Sequence, residues 1–390
     1  MSFDIVEGDP SNVVDAKWRS ELYLSSHKLA IHMKSLAQLI FAASTILDDL
    51  APFVAALCSY GPLPSIDKLD EIDDATRVLT LLNAHHYTGW NIRKLLILRS
   101  LEKPGSSSTA IAHNFEENEA LILERCKREL KHISLAQSKR PKPSESWAHR
   151  TWVLRKMAEL DMEYSKKEIV DGEKQRCQAA VSNHKRNYYA YKHRLYLLQH
   201  WISASKSHSD QLSDDSKADL REEFRIVWDW LKRNYQDASA VHYCCITLRH
   251  LGWNNLENLL PNDQVSTSFN TLEALLEESS KYLEYYSAGE TWWYLRRFLI
   301  SNFISYSLYE NQSSNSSSTC EKLFENEVLT IARFSAEEKH ALNALLHGAW
   351  ISAFYKNVAI KTSSKLPSSV EAHFSLWMKE LKSLAWKPSI

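Results

Sequence analysis

Glycine is scarce in this chain, 8 of 390 residues, about 2% where ~7% is usual. That scarcity excludes folds resting on tight hairpins, phosphate-cradling loops or a dinucleotide crossover. No charge sign dominates either: 47 Lys and Arg stand against 48 Asp and Glu. A globally basic nucleic-acid binder is thereby excluded, though a local basic strip is not. The six cysteines (Cys58, Cys126, Cys177, Cys244, Cys245, Cys320) are scattered, with no CxxC pair. They read as reduced thiols of a cytoplasmic protein rather than a disulfide framework. The longest apolar run, Leu47 to Leu57, is interrupted by Asp48, Asp49 and Pro52, so no membrane span is expected. Met1 to Gly8 has no apolar signal region, and Trp386 to Ile390 is not a prenylation box. HExxH, GxSxG and Gly-rich phosphate loops are missing. His193 with His200, and His242 beside Cys244 and Cys245, offer no convergent ligand set, so no metal is expected in this chain.

What the chain has instead is a repeat. An aromatic residue, an arginine three positions on and an aliphatic cluster recur at Trp90/Arg93, Trp147/Arg150, Tyr191/Arg194 and Trp293/Arg296. A weaker copy lies at Ala240 to Leu248, where Tyr243 stands in for the arginine. The anchors recur every 44–57 residues. Offsets of 0, 3 and 7 fall on one helical face, so each copy is the inner stripe of an α-helix. A single helix pair cannot bury such a stripe, so copies must stack. The spacing exceeds the ~34 residues of a tetratricopeptide array. All-α architecture follows, an α-α superhelix of stacked hairpins.

Two copies carry a family resemblance. Pro141-Lys142 followed by Trp147-Ala148-His149-Arg150-Thr151-Trp152-Val153-Leu154, and Asn187-Tyr188-Tyr189-Ala190-Tyr191-Lys192-His193-Arg194, resemble the repeat of protein prenyltransferase α subunits. The similarity extends over about residues 83–300. It implies a crescent of hairpins wrapped round a β subunit that holds a catalytic zinc; no cofactor is implied in this chain. The implied partners are that β subunit, an isoprenoid diphosphate (geranylgeranyl by the nearest resemblance) and a protein substrate with an acceptor cysteine. By the same resemblance Lys142, five residues before Trp147, reaches the diphosphate, with Arg186, Asn187 and Tyr189 near it. Read from the residues alone, Lys142 is equally one of several solvated loop cations with Lys139 and Arg140. Two positions depart from the family pattern: Ser144 replaces a tyrosine, and Tyr189 a histidine. A non-enzymatic helical scaffold is the alternative reading, favoured by Ser144 and the degenerate fourth repeat.

The expected organisation is a helical extension over 1–68, with helix starting near His27, and five hairpin repeats over 69–309. A low-complexity loop over 310–333 and capping helices over 334–390 follow. Ser203 to Ser216 reads as a loop, Lys103 to Thr109 as a linker. Ser165/Glu168 and Ser335/Glu338 have capping-box spacing.

Overall fold

The computed structural model describes residues 2–6, 22–25, 28–59, 62–99, 115–160, 166–205, 212–257, 259–260, 268–286, 289–309, 316–336, 341–362 and 368–385. The linker at 103–109, Ser165 and Glu338 lie outside the described residues. Three strands open the chain: β1 (Ser2–Val6), β2 (Leu22–Ser25) and β3 (Lys28–His32). Helices α1 (Met33–Asp49), α2 (Ala51–Cys58), α3 (Ile66–Leu82), α4 (Tyr87–Leu98), α5 (Phe115–Lys139), α6 (Ser144–Leu160), α7 (Lys166–Asn183) and α8 (Tyr188–Ser205) come next. The remainder is α9 (Asp214–Arg233), α10 (Ala238–Leu251), α11 (Ser268–Tyr286), α12 (Glu290–Tyr309), α13 (Ser316–Ser335), α14 (Ala341–Thr362) and α15 (Ser368–Ala385). These elements group into two compact units, residues 1–201 and 202–390. The all-α repeat class holds, with a small sheet ahead of it.

That sheet has the order β1-β3-β2, with β1 parallel and β2 antiparallel to β3. It corrects the expectation of helix from His27. Leu29 and Ile31 alternate with Lys28, Ala30 and His32, a period of two that pairs with Phe3 and Ile5 of β1. Helix begins only at Met33. Leu50, Leu57, Ile72, Ile92 and Leu96 then form one apolar cluster joining α1 and α2 to the first hairpin, α3–α4. Arg99 donates to the Ala56 carbonyl at the end of α2, where a cation also meets the negative end of the helix dipole. Among the described residues no single helix is long and apolar enough to cross a membrane.

Two expected loops are helical in part: Ser203–Ser205 closes α8 and Asp214–Ser216 opens α9, and residues 316–333 lie in α13. The stretch around Ser213 caps α9: its hydroxyl accepts the Ser216 amide at 3.2 Å, and Asp214 and Asp215 occupy the positive first turn. Serine and aspartate clusters mark helix starts as well as loops. Within 310–333, α13 runs from Ser316 and buries Leu323, Phe324, Glu327 and Ile331, a spacing that sets one face against α12 and α14. The serine run at its head masked that period.

Candidate functional site at the hairpin turns

In the hairpins α5–α6 and α7–α8 the first helix supplies a carboxylate and the second an aromatic, a histidine and an arginine. Arg150 of α6 donates through Nε and Nη2 to Glu173 of α7, both at 2.5 Å, and His193 of α8 meets the same carboxylate at 3.1 Å. Nη1 of Arg150 returns to its own hairpin, to the Leu130 carbonyl and Ser134 hydroxyl. The anchor Trp147 packs on His193, ring centres 5.3 Å apart. One joint therefore unites two hairpins through four buried side chains: an aromatic and an arginine from one, a glutamate and a histidine from the next.

The pattern recurs. Arg93 makes a two-point ion pair with Glu129, which also accepts from His149, and Trp90 packs on His149 at 4.9 Å. Arg296 and Glu327 pair with His347, and Trp293 packs on His347 at 5.0 Å. In all three the glutamate precedes the histidine by 20 residues.

That spacing corrects the reading of Tyr243. Its hydroxyl donates to Glu223, again 20 residues earlier, at 2.6 Å. Tyr243 therefore occupies the histidine's place, and Cys244 the arginine's. It follows that Val241, not Ala240, is the anchor of this hairpin, and Asp237, four residues before it, caps α10. The spacing also shows α13–α14 to be a sixth hairpin rather than a cap. Glu327 and His347 fill their places, and Trp350 stacks on His347 as Trp152 stacks on His149.

A rule governs which residues stand at a joint. Where the preceding hairpin has Cys244 in place of arginine, the next has Leu275 and Leu295 in place of glutamate and histidine, both buried. At the first hairpin the corresponding pair is Ile72 and Ile92, also buried. A buried carboxylate without its guanidinium costs several kcal/mol, so the polar members are kept or replaced together. Burial alone would raise the Glu173 pKa. The Arg150 and His193 bonds outweigh it and bring it down to about 2. Burial opposes ionisation of Glu327 in the same way, and Arg296 and His347 bring it to about 2. His149, His193 and His347 are shifted down, first by burial, against the pull of their glutamates.

These joints position the turns between paired helices. The helix-start position lies four residues before each anchor, where His86, Asn187 and Asp237 each accept backbone amides. Asn187 is fully buried, and its amide nitrogen donates to the Pro141 carbonyl at 2.8 Å. The Trp147 indole donates to the same carbonyl at 2.6 Å. Two hairpin turns are thereby tied at the residue before Lys142. Lys142 stands exposed between buried Pro141 and Pro143, and has no ion pair among the described residues. Arg186, exposed on the adjoining turn, has a left-handed backbone with φ of 58°. Such a conformation is uncommon outside glycine and costs of order 1 kcal/mol or more. Its carbonyl accepts the Tyr188 amide at 3.1 Å, which aids that turn.

The structure thus brings Lys142, Arg186 and Asn187 to neighbouring turns, Asn187 as a buried positioning residue with its amide committed. Tyr189, partly exposed, lines a groove of about 480 Å³ between α6 and α8, with Ser144, Ala148, Thr151, Arg155 and Lys192. Trp90, Arg93, Trp147, Arg150, Tyr191, Arg194, Trp293 and Arg296 are all buried. Arg194 donates to Gln178 of its own hairpin at 3.1 Å. The joint glutamates and histidines were missed from sequence, although the repeated glutamate-to-histidine interval was there to be counted. Among the described residues, no group of three or more His, Cys, Asp or Glu side chains is placed to hold a metal ion.

Stacked two-helix units joined by one recurring set of residues define a helical-hairpin repeat protein. No family model matches the chain. It is 27% identical over 197 residues to protein prenyltransferase alpha subunit repeat-containing protein 1 of Homo sapiens, covering 47% of this chain and 40% of that one. To the Xenopus laevis protein of that name, form 1-B, it is 26% identical over 288 residues, 64% of this chain and 59% of the relative. The Danio rerio protein matches at 27% over 187 residues, 44% and 36% of the two lengths. The chain spans about half the length of the curated relatives it matches. Their names agree with the family that the repeat motifs resemble.

Proposed function

We propose that this chain is the α-type subunit of a heterodimeric protein prenyltransferase of the cytoplasm. In this reading it transfers a geranylgeranyl group from its diphosphate to a cysteine thiolate of a protein substrate. The observation that carries it is the fixed turn at Lys142: an exposed lysine between two prolines, its preceding carbonyl held by Trp147 and Asn187. In transfer, a sulfur–carbon bond forms while the carbon–oxygen bond to diphosphate breaks, and the leaving group takes the electron pair. An ammonium already fixed beside that oxygen stabilises the growing negative charge with little reorganisation. Arg186 on the adjoining turn adds a second positive group, and Tyr189 a contact at the head of the groove. A zinc ion on the β partner would keep the acceptor thiol deprotonated. The chain alone is inert in this account, because zinc and isoprenoid site lie on the partner.

A non-enzymatic scaffold is the second reading. Two features favour it: Ser144 at the turn, and the apolar joint at Cys244, Leu275 and Leu295. Co-expression with prenyltransferase β subunits, followed by transfer from labelled geranylgeranyl diphosphate to candidate proteins, separates the two. Transfer that requires both chains is the expected outcome. Failure to co-purify with any β subunit would leave the scaffold.

A further inference from the structure

The second helices of the six hairpins are nearly devoid of acid. Across α4, α6, α8, α10, α12 and α14 the carboxylates are Glu145, Glu159 and Glu290, whereas every first helix of a hairpin carries three or more. Those three are engaged: Glu145 with His85 and Ser144, Glu159 with Lys156, and Glu290 with Arg297. None lines the groove between α6 and α8, whose walls nevertheless carry Arg155 and Lys192. Both cations are exposed, and among the described residues neither has a carboxylate partner.

The groove has a defined shape. Ser144, Ala148, Thr151 and Arg155 follow one face of α6, and Tyr189, Lys192 and Tyr196 the facing side of α8. Ala148 and Thr151 are small, which opens space beneath the aromatic and cationic wall. From Ser144 to Arg155 the helix rises about 17 Å at ~1.5 Å per residue. That accommodates about five residues of extended chain at ~3.3 Å each. The Arg155 guanidinium lies over the Tyr196 ring, 5.7 Å from its centre, one turn along α8 from Lys192. The two positive groups are therefore offset by about 6 Å along the helices, matching alternate residues of a strand at roughly 6.6 Å.

We propose that this groove docks an extended segment of a partner protein bearing acidic residues at alternate positions facing the cationic wall, with apolar residues between them turned to the opposite side, towards Ala148 and Thr151. Charge complementarity carries the assignment: two cations in register with a strand, on walls that hold no acid. A nucleic-acid backbone would call for a longer run of cations to neutralise its phosphates. The inference holds whether the chain serves an enzyme or a scaffold, since each works through a protein partner.

A fluorescein-labelled peptide alternating glutamate and leucine, titrated with the full chain and followed by anisotropy, tests it. Binding that weakens with salt, and falls at least about tenfold when Arg155→Glu and Lys192→Glu are combined, is the expected result. Thermal melting accompanies each variant. If the double reversal unfolds, Arg155→Gln with Lys192→Gln replaces it, with a smaller loss expected. Lys281→Glu on α11, which is not among the residues lining the groove, should bind as the parent does. Equal binding by the groove variants overturns the proposal, as does no binding by the parent. So does equal binding of a lysine–leucine peptide or of a single-stranded oligonucleotide.

Discussion

At the scale of single residues, the joints show how a buried arginine is accommodated. Glu173 accepts two bonds from Arg150 and one from His193, so a charged pair sits in the core with its lone pairs used. Removing one member leaves the other unpaired. Glu173→Gln should therefore destabilise the chain by about 3–5 kcal/mol in chemical denaturation. The triple change Arg150→Leu, Glu173→Leu, His193→Leu copies the apolar set that occurs naturally at Cys244, Leu275 and Leu295. Its stability should lie within about 2 kcal/mol of the parent or above it. A triple variant weaker than the single one would refute the joint rule. The joints also set a pH dependence. The histidines have folded pKa values below their unfolded value of about 6.5, so the unfolded chain binds more protons beneath that pH. Their contribution to stability is complete above pH ~6.5 and falls as pH drops below it. Glu173 and Glu327, at about 2 in the folded state, add a second loss as pH falls from the unfolded value of ~4.3 towards 2. Unfolding free energy measured from pH 8 to 4 should thus be level and then decline from about 6.5. A flat profile down to pH 5 would contradict neutral buried histidines.

At the scale of elements, most helices were legible because aromatic, arginine and aliphatic residues repeat on one face. The ion-pair partners were harder to read. Arginine and glutamate are 36, 23 and 31 residues apart at these three joints, because linkers between hairpins vary. Glutamate and histidine keep their 20-residue interval because both belong to one hairpin. The sixth hairpin was hidden for another reason: it has Leu345 and Gly348 where four other hairpins carry an aromatic and an arginine. Gly348 has a packing role. A Cβ built there would lie 2.6 Å from the Trp377 ring of α15. Gly348→Ala should accordingly destabilise despite a gain in helix propensity of about 1 kcal/mol, since overpacking costs typically ~1–3 kcal/mol. Trp377→Leu in the same chain should reverse part of that loss, and a Gly348→Ala variant more stable than the parent would sink this account of the last hairpin. The N-terminal strands were missed because Leu29 and Ile31 merge into the apolar run of α1.

At the scale of the whole molecule, the near-zero net charge conceals a division of labour. Acid is gathered on the first helices of the hairpins, while the second helices and their turns offer Lys142, Arg155, Arg186 and Lys192 with few carboxylates. The sequence disclosed these cations but could not show that Asn187 is spent on holding the Lys142 turn, because the Pro141 contact joins residues 46 apart. The central functional claim is that the fixed lysine assists departure of a diphosphate. Its most direct test is single-turnover transfer from labelled geranylgeranyl diphosphate by the co-purified complex, comparing the parent with Lys142→Ala. The account predicts an intact complex whose transfer rate falls by about a hundred- to a thousandfold, the range for losing one preorganised charge-stabilising group. A Lys142→Ala complex that transfers at the parental rate would contradict it.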